Sequence, residues 1–377
     1  MITKAPDIFV SSSDYWHREI VKDIRTKSDI GRYRVRGYGA FKQLPTFDDL
    51  TFAFDPSDLA KIDTVEGKVN LHTTLGGRYA KKPIENDIPI SISAMSYGAL
   101  SKSTKISMGK ASAMVGTSTN SGEGGMLPEE RAAAKHYIYQ ITPGRFGFNI
   151  HDLRRADAVE FYISQGAKPG LGGQLMASKV TDELAQIRGI PKGIDLRSPS
   201  RHPDILGADD LVIKIEELRE ATDWQIPISI KMGAGHMRHD IKIAVKDMVD
   251  MVAIDGIQGG TGAAPEVVLE NIGIPSLAAI VEAIDGVRQM GRRDEVTLML
   301  MGGIKDGLDA AKALALGADA VAIGTAAILA GSCIACVQCH SNKCPTGITT
   351  HKGDLEPRYQ IDRNAEWFAM FLRNMAA

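Results

Sequence analysis

All four cysteines of the 377-residue chain lie within one short segment, from Cys333 to Cys344. Cys336 and Cys339 lie between them, so the spacing is C-x2-C-x2-C-x4-C, and Pro345 follows directly. Soft thiolates grouped on one loop suit an iron–sulfur cluster or zinc, whereas structural disulfides would join distant segments. Structural zinc usually takes two separated C-x2-C pairs, and two-residue gaps that end in Cys-Pro are typical of iron–sulfur loops. The spacing therefore favours iron over zinc and over unrelated buried thiols.

Eight short apolar runs predict the strands that must position this loop. They alternate with segments of helical period, such as 209–220 and 307–316, and several are apolar throughout, as strands buried on both faces should be. The predicted strands are 89–95, 115–119, 137–141, 159–164, 227–231, 250–255, 296–301 and 320–324. This alternation predicts an α/β fold, a TIM (β/α)8 barrel, with a doubly wound sheet as the weaker alternative.

We expect three regions along the chain. Residues 1–80 are polar with little sustained periodicity, which predicts an N-terminal extension packed on the barrel. Residues 81–330 carry the barrel, and residues 331–377 carry a C-terminal Fe–S loop and a helix. No internal repeat interrupts this order.

Composition gives no sign of a nucleic-acid or membrane partner. The net charge is −2 and 44% of residues are hydrophobic, as in an ordinary globular protein without the basic excess that nucleic acid or an anionic membrane calls for. No apolar run approaches the roughly 18 residues of a membrane span, and the first residues lack the apolar core of a signal peptide. We therefore expect a cytoplasmic protein. We also expect it to form an oligomer.

Glycine-rich turns follow the last two predicted strands, at the barrel face where catalysis takes place in this fold. One strand ends in Gly302-Gly303 and the next in Gly324-Thr325, each ahead of a helix whose N-terminal N–H groups can bind an anion. The alternative at each turn is a glycine that only relieves backbone strain. Because these two strands commonly supply a phosphate site in such barrels, two glycine turns together favour phosphate binding.

Charged and polar side chains near the other strand ends are candidate site residues. Lys231 ends an apolar strand, where a cation is costly unless paired, and beside a flavin it would face the negative charge of the reduced ring. The alternative is a surface lysine one residue beyond the strand. Four further groups near the presumed mouth are Glu123, Lys168, Gln174 and Arg188. Cations of this kind suit a dicarboxylate substrate, although each residue alone could form a surface pair.

The order of the motifs resembles one known family. AMSYGALS, NSGEGG, GRFG, SQGAKPG, GGQL, SIKMGAG, GGTGAAP and CHSNKCPTGI follow one another between about residues 84 and 350. This order is similar to the FMN-binding synthase domain of glutamate synthase large subunits. The resemblance implies a TIM barrel with FMN and a 3Fe–4S cluster. It also implies reductive amination of 2-oxoglutarate through 2-iminoglutarate to L-glutamate, an EC 1.4 oxidoreductase activity on CH–NH2 donors.

The resemblance also assigns residues to the cofactors. Cys333, Cys339 and Cys344 match the family's cluster ligands, and Cys336 is additional to these three. As a fourth ligand, Cys336 would convert a 3Fe–4S site to a 4Fe–4S site; otherwise it does not bind the cluster. The residues expected to hold FMN are Ala94, Met95, Ser96, Gln174, Lys231, Gly260, Gly302, Gly303, Gly324 and Thr325.

Four residues are expected to be catalytic. The resemblance places Lys231 where it would stabilise the reduced flavin. Lys168 and Arg188 would orient the substrate carboxylates through charge-assisted hydrogen bonds. Glu123 is the candidate proton shuttle for iminium formation.

Two departures from the full-length family change the expected partners. The chain begins Met1-Ile2-Thr3, without the cysteine nucleophile that releases ammonia from glutamine, and it leaves no room for the family's C-terminal β-helix. It is more similar to the stand-alone synthase domains of archaeal and bacterial multi-subunit systems. Ammonia would then come from a separate glutamine amidotransferase subunit, and electrons from ferredoxin or an NAD(P)H-dependent reductase subunit.

Three alternative functions stay open. Residues 191–224 look closer to the FMN subunit of N-methylglutamate synthase, whose amine is methylamine, and Tyr162 stands where the large synthases carry a lysine near the oxoacid. That subunit lacks the cysteine loop, so the loop favours a glutamate-forming enzyme. Oxidation of a 2-hydroxy acid by FMN would need a histidine base, for which His236 is the candidate. A non-catalytic electron-transfer subunit is the third alternative.

Overall fold

Eight parallel strands form the centre of the molecule. The computed structural model describes residue 16 and residues 18–53, 69–246 and 248–377. The strands are Ile90–Ile92, Ser118–Asn120, His136–Ile141, Ala158–Tyr162, Ile228–Gly233, Met251–Asp255, Thr297–Met301 and Ala320–Ile323. In space they follow chain order from the second to the eighth, and the eighth pairs with the first. This nearly closed TIM barrel confirms the predicted fold class, and the doubly wound alternative is wrong.

Two apolar layers explain why the strands are apolar on both faces. One cluster fills the barrel interior with small and flexible side chains such as Ala253 and Met299, and a larger cluster lies between the strands and the outer helices. The short antiparallel pair Thr73–Leu75 and Ile84–Asn86 supplies Leu75 and Ile84 to the interior cluster. Continuous apolar strands are typical of this double burial.

Capping residues fix where several outer helices begin and end. The long helices of the described chain are Arg18–Ile30, Lys102–Val115, Ala208–Ala221, Met237–Lys246, Ser276–Gln289, Gly307–Ala315 and Ile361–Ala376. Shorter ones are Pro128–Ala133, Ile150–Leu153, Asp182–Arg188, Glu266–Leu269 and Thr325–Ala330. The Asp306 side chain accepts a hydrogen bond from Asp309 N at 2.9 Å and starts the helix Gly307–Ala315. The helices predicted over 209–220 and 307–316 are confirmed.

Residues 35–36 and the last helix of the chain pack on the barrel. The short strand Val35–Arg36 pairs antiparallel with Ala264–Pro265, in the loop that follows the sixth barrel strand. The helix Ile361–Ala376 packs against Lys102–Val115. Residues 1–15, 17 and 54–68 of the expected N-terminal extension lie outside the described residues, and the three-region division stays a prediction. Within the described ranges, no helix combines the length and apolar character needed to cross a bilayer.

Side chains close the seam between the first and second barrel strands, which stand at opposite ends of the hydrogen-bonded sheet. Near the start of the strands, Thr117 Oγ1 donates a hydrogen bond to Ile90 O at 2.5 Å. The hydroxyl groups of Ser91 and Ser118 lie 2.8 Å apart across the seam. Polar side chains therefore take the place of a backbone ladder here.

A buried ion pair holds the other end of the same seam. The ammonium group of Lys105 donates to Met95 O and to Asn120 O, the latter at 2.9 Å. Glu130 Oε1 lies 2.9 Å from Lys105 Nζ, and neither side chain reaches solvent. Burial raises the pKa of Glu130 and lowers the pKa of Lys105, and the opposite charge of the partner counters each shift. One cation thus ties together the residues at the ends of both strands.

We predict that Lys105→Met lowers the free energy of unfolding by about 3–5 kcal/mol, because Glu130 is left buried without its partner. Lys110 lies on the same helix, and its partner Asp362 is exposed, so Lys110→Met should cost less than about 1 kcal/mol. Urea unfolding followed by circular dichroism measures both variants. Equal losses would show that the buried pair contributes nothing special to the seam.

Candidate functional site

A cavity of about 550 Å³ opens at the carboxyl ends of the barrel strands. Ligand sites in this fold occupy that face, and the volume suits a cofactor or a small substrate. All ten residues predicted to hold FMN line the cavity: Ala94, Met95, Ser96, Gln174, Lys231, Gly260, Gly302, Gly303, Gly324 and Thr325. Of the predicted catalytic residues, Glu123, Lys168 and Lys231 line it. The structure therefore brings the residues predicted to hold FMN together with three of the four predicted catalytic residues.

Lys231 lies inside the fifth strand, with its side chain buried at the cavity wall. The alternative of a surface lysine is wrong, because only 4% of the residue is exposed. Its ammonium group lies 3.9 Å from Asp255 Oδ2, at the end of the sixth strand. The same carboxylate accepts a hydrogen bond from Gly166 N at 2.9 Å. Burial raises the pKa of Asp255, and the charge of Lys231 opposes that rise.

Lys168 is buried, and its ammonium group makes no hydrogen bond to a carboxylate among the described residues. Its ammonium group donates to Ala263 O at 3.0 Å. Burial lowers the pKa of Lys168 to about 8, against the charge of the partly buried Glu123. Glu123 accepts a hydrogen bond from the Ser198 hydroxyl, which holds the carboxylate at the cavity. An anionic group in the cavity would restore full charge to this lysine.

Tyr162 lines the same cavity as Lys168 and Glu123. It is buried, and burial raises its pKa, so its phenol is neutral at physiological pH. The wall also carries two polar side chains from the third strand and its loop, Gln140 and Thr142. Tyr162, Gln140 and Thr142 thus add neutral hydrogen-bonding groups to a wall on which Lys231 is the register partner of Tyr162.

Arg188 lies one layer behind the cavity wall, and the structure does not place it among the lining residues. Its guanidinium group donates to Tyr97 O at 2.6 Å and to Glu123 O at 3.0 Å. A Cβ atom on Gly124 would come within 2.5 Å of this guanidinium, and one on Gly98 within 2.9 Å. Arg188 thus holds two loops of the mouth from behind, and its direct contact with a substrate stays a prediction.

The two glycine turns differ in why they need glycine. Gly302 and Gly303 have φ values of +99° and +81°, a conformation that favours glycine whether or not a ligand binds. Gly324 has an ordinary φ of −118°. A Cβ atom there would meet only the Ser93 side chain, at 3.7 Å. Neither backbone strain nor crowding explains Gly324, whereas room for a group bound in the cavity does, as FMN requires.

The cysteine loop borders the cavity through Cys339. All four cysteines are free thiols: Cys339 and Cys344 are buried, and Cys333 and Cys336 are partly buried. Within the part of the chain that the structure describes, no group of three or more His, Cys, Asp or Glu side chains is arranged to hold a metal ion. The cluster therefore stays a proposal, although the thiol donors suit iron–sulfur chemistry.

The backbone of the cysteine loop is unusual. Ser332, Ala335, Val337 and Asn342 all have positive φ values, between +52° and +78°. Non-glycine residues seldom adopt this region, and such strained positions cluster at functional sites. The strain supports a functional loop rather than a chance grouping of buried thiols.

The N-terminal segment covers this loop. Gly37 N donates to Val337 O at 3.1 Å, and a Cβ atom on Gly37 would come within 2.8 Å of Cys339 Sγ. The Tyr38 hydroxyl lies 3.0 Å from Cys333 Sγ, and Tyr38 also lines the cavity. One short stretch of chain thus contacts both the thiols and the cavity.

Sequence reasoning missed Asp255, Tyr38 and Lys179, which all line the cavity. Asp255 ends the sixth strand and could have been found by the rule that identified Lys231. Tyr38 and Lys179 lie outside the barrel strands, and no local pattern marks them. His236, the candidate base of a hydroxy-acid oxidase, is exposed and is not among the residues that line the cavity.

Comparison with known proteins identifies the family. The conserved region of glutamate synthase matches residues 45–377. The glutamate synthase large subunit-like protein of Rhizobium meliloti (strain 1021) is 45% identical over 369 residues, 94% of this chain and 84% of that protein. The archaeal glutamate synthase (NADPH) of Methanocaldococcus jannaschii is 36% identical over 96% of this chain and 76% of its own length.

Two further proteins are similar to this chain over a smaller part of their length or in fold alone. The glutamate synthase (NADPH) large chain of Bacillus subtilis is 35% identical over 278 residues, 71% of this chain and 18% of that longer protein. A solved flavocytochrome b2 variant with sulfite bound has a TM-score of 0.53 at 17% identity, over 88% of this chain and 77% of that one, and it supports the barrel fold alone. On the family match and the relatives together, this chain belongs to the glutamate synthase family, whose members are oxidoreductases.

Proposed function

We propose that the chain forms L-glutamate by reductive amination of 2-oxoglutarate through 2-iminoglutarate, with FMN in the cavity and an Fe–S cluster on the cysteine loop. The observation that carries this proposal is that two buried lysines, Lys168 and Lys231, face one cavity in a chain of this family. A dianionic substrate and a flavin that becomes anionic on reduction are the two negative groups that such lysines would suit.

FMN, when bound, supplies hydride transfer. Gly302, Gly303 and Gly324 with Thr325 would hold its phosphate, because the last of these glycines leaves space that the protein itself does not need. Ala94 to Ser96 and Lys231 would contact the ring, where the ammonium charge stabilises the reduced form. The Asp255 carboxylate, 3.9 Å from that ammonium group, would favour its position beside the ring.

The substrate would bind through Lys168. Its ammonium group now has one carbonyl partner, so a carboxylate in the cavity would gain a charge-assisted hydrogen bond. Glu123 would take the proton that the amine loses on adding to the keto carbon, because its carboxylate is held at the wall by Ser198. The neutral Tyr162 would line the oxoacid pocket and help to exclude water. Arg188 would keep the loop of Glu123 in place from behind.

The names of the relatives support one proposed electron donor. Several are named glutamate synthase (NADPH), which supports NADPH as the source of electrons, proposed to reach this chain through a reductase subunit, with ferredoxin as the alternative. Ammonia supply by a separate glutamine amidotransferase subunit is part of the same proposal. Location in the cytoplasm and an oligomeric state remain predictions.

We predict that Lys168→Met raises the KM for 2-oxoglutarate about 10- to 100-fold, because a hydrogen bond to a charged group contributes about 1.5–3 kcal/mol. The exposed Lys192, paired with Asp182, provides the matched control: Lys192→Met should leave KM unchanged. The assay follows glutamate formation from 2-oxoglutarate and ammonia by anaerobically purified chain with a strong reductant.

The same assay separates the alternatives. Faster turnover with methylamine than with ammonia would favour an N-methylglutamate synthase. Chain that binds flavin and iron but forms no amino acid would be an electron-transfer subunit. Rapid oxidation of lactate or glycolate would contradict the proposal.

We predict that kcat/KM for 2-oxoglutarate falls as the pH rises above about 8. Lysine is cationic below its pKa, and burial lowers the pKa of Lys168 to about 8, so its charge is lost through that pH. The pH dependence of kcat/KM reports the pKa values of the free enzyme. Rates between pH 6.5 and 9.5 would show the decline. The arginine of Lys168→Arg keeps its charge over this pH range. If kcat/KM of that variant declines at the same pH, the decline belongs to another group.

We predict that Cys339→Ser abolishes bound iron, because the residue matches a cluster ligand and its thiol is buried. Cys336→Ser should keep a three-iron signal if Cys336 is a bystander, and it would convert or lose a four-iron spectrum if Cys336 is a ligand. Iron content and electron paramagnetic resonance spectra of the two variants are the measurement. Full iron content in Cys339→Ser would contradict the assignment.

A further inference from the structure

A buried lysine, Lys179, joins the cysteine loop to the cavity wall. It ends the short 3-10 helix Ala177–Lys179, between the fourth and fifth barrel strands, and is 2% exposed. Its ammonium group donates to Ala99 O at 2.7 Å and to Cys339 O at 3.1 Å. Ala99 lines the cavity beyond the first strand, and Cys339 belongs to the cysteine loop. A single side chain thus connects the two proposed cofactor sites.

A second hydrogen bond connects the same short helix to the cysteine loop. Asn342 Nδ2 donates to Ser178 O, one residue before Lys179. The Asn342 side chain in turn accepts from His351 N at 2.8 Å and from the Thr350 hydroxyl at 3.0 Å. The position of the loop relative to the cavity therefore depends on residues 178 and 179.

The charge of Lys179 is compensated differently from that of Lys105 and Lys231, and in the same way as that of Lys168, whose hydrogen bond also goes to a backbone carbonyl oxygen. Lys105 has Glu130 at 2.9 Å and Lys231 has Asp255 at 3.9 Å, whereas both hydrogen bonds of Lys179 go to backbone carbonyl oxygens. The sulfur atoms of Cys339 and Cys344 lie near enough to act on this charge once they are thiolates, and the Arg188 guanidinium repels it. A buried cation is costly unless an anion compensates it. Thiolates with bound iron would be that anion.

We propose that Lys179 is the counter-cation and positioning residue of the cluster on the cysteine loop. Its ammonium group fixes the Cys339 peptide against Ala99, and its charge favours the reduced, more negative state of the cluster. The inference rests on the proposed function, in which this loop binds a cluster. It assigns to Lys179 a role in electron supply to the cavity without contact with the substrate.

The experiment compares Lys179→Met and Lys179→Arg in the full chain, purified anaerobically. The readouts are iron and sulfide per chain, the cluster reduction potential from a titration followed by electron paramagnetic resonance, and the flavin potential of the same sample. We expect Lys179→Met to lower the equilibrium constant for one-electron reduction of the cluster at least tenfold, a shift of about 59 mV. Lys179→Arg should stay within threefold of the wild type, and Lys192→Met should show no change.

Each outcome decides the proposal. An unchanged cluster potential in Lys179→Met with full iron content would overturn it, and so would a potential in Lys179→Arg equal to that of Lys179→Met. If folded Lys179→Met binds no iron, the result for Lys179→Arg decides. A Lys179→Arg variant that binds iron at the wild-type cluster potential supports the counter-cation role. Loss of iron in both variants overturns the proposal. Wild-type chain without iron would instead refute the cluster of the proposed function.

Discussion

The contact between Lys105 and Glu130 is the one on which the mouth of the barrel depends. It lies at the seam that no backbone ladder closes, and Lys105 holds the carbonyl groups of Met95 and Asn120. Two buried charges are stable only when their geometry and their hydrogen bonds are complete, so this contact permits little displacement of either strand end. The loops that begin there carry Ser96 and Glu123 into the cavity, and their positions follow from it.

The buried lysines around the mouth differ in the anion that faces each of them. Lys105 has a carboxylate in contact, and Lys231 has one at the edge of ion-pair distance. Lys168 and Lys179 have only carbonyl oxygens as hydrogen-bond acceptors, and burial lowers the pKa of both, to about 8 and about 7. Among the described residues, neither ammonium group has a carboxylate within ion-pair distance. They mark the cavity and the cysteine loop as places that suit anions.

The sequence predicts the strands well because burial on both faces leaves continuous apolar runs, which few other structures produce. It also predicts most of the cavity wall, because residues at strand ends meet at one face of a barrel. The role of Arg188 is different, because its partners at Tyr97 and Glu123 are distant in the chain and both are backbone oxygens, which no residue type reveals. Lys179 is missed for the same reason, and Tyr38 is missed because its partner Cys333 is 295 residues away in the chain.

The contact between Tyr38 and Cys333 has a consequence for folding. The two residues are 295 positions apart in the chain, and Gly37 packs on Cys339 across a similar separation. Contacts between such distant residues form slowly, because the entropy of closing the loop must be overcome first. We therefore expect Tyr38 and Gly37 to cover Cys333 and Cys339 late, after much of the barrel between them has formed. Until then these thiols would be open to solvent, so the proposed cluster would be inserted before this cover closes.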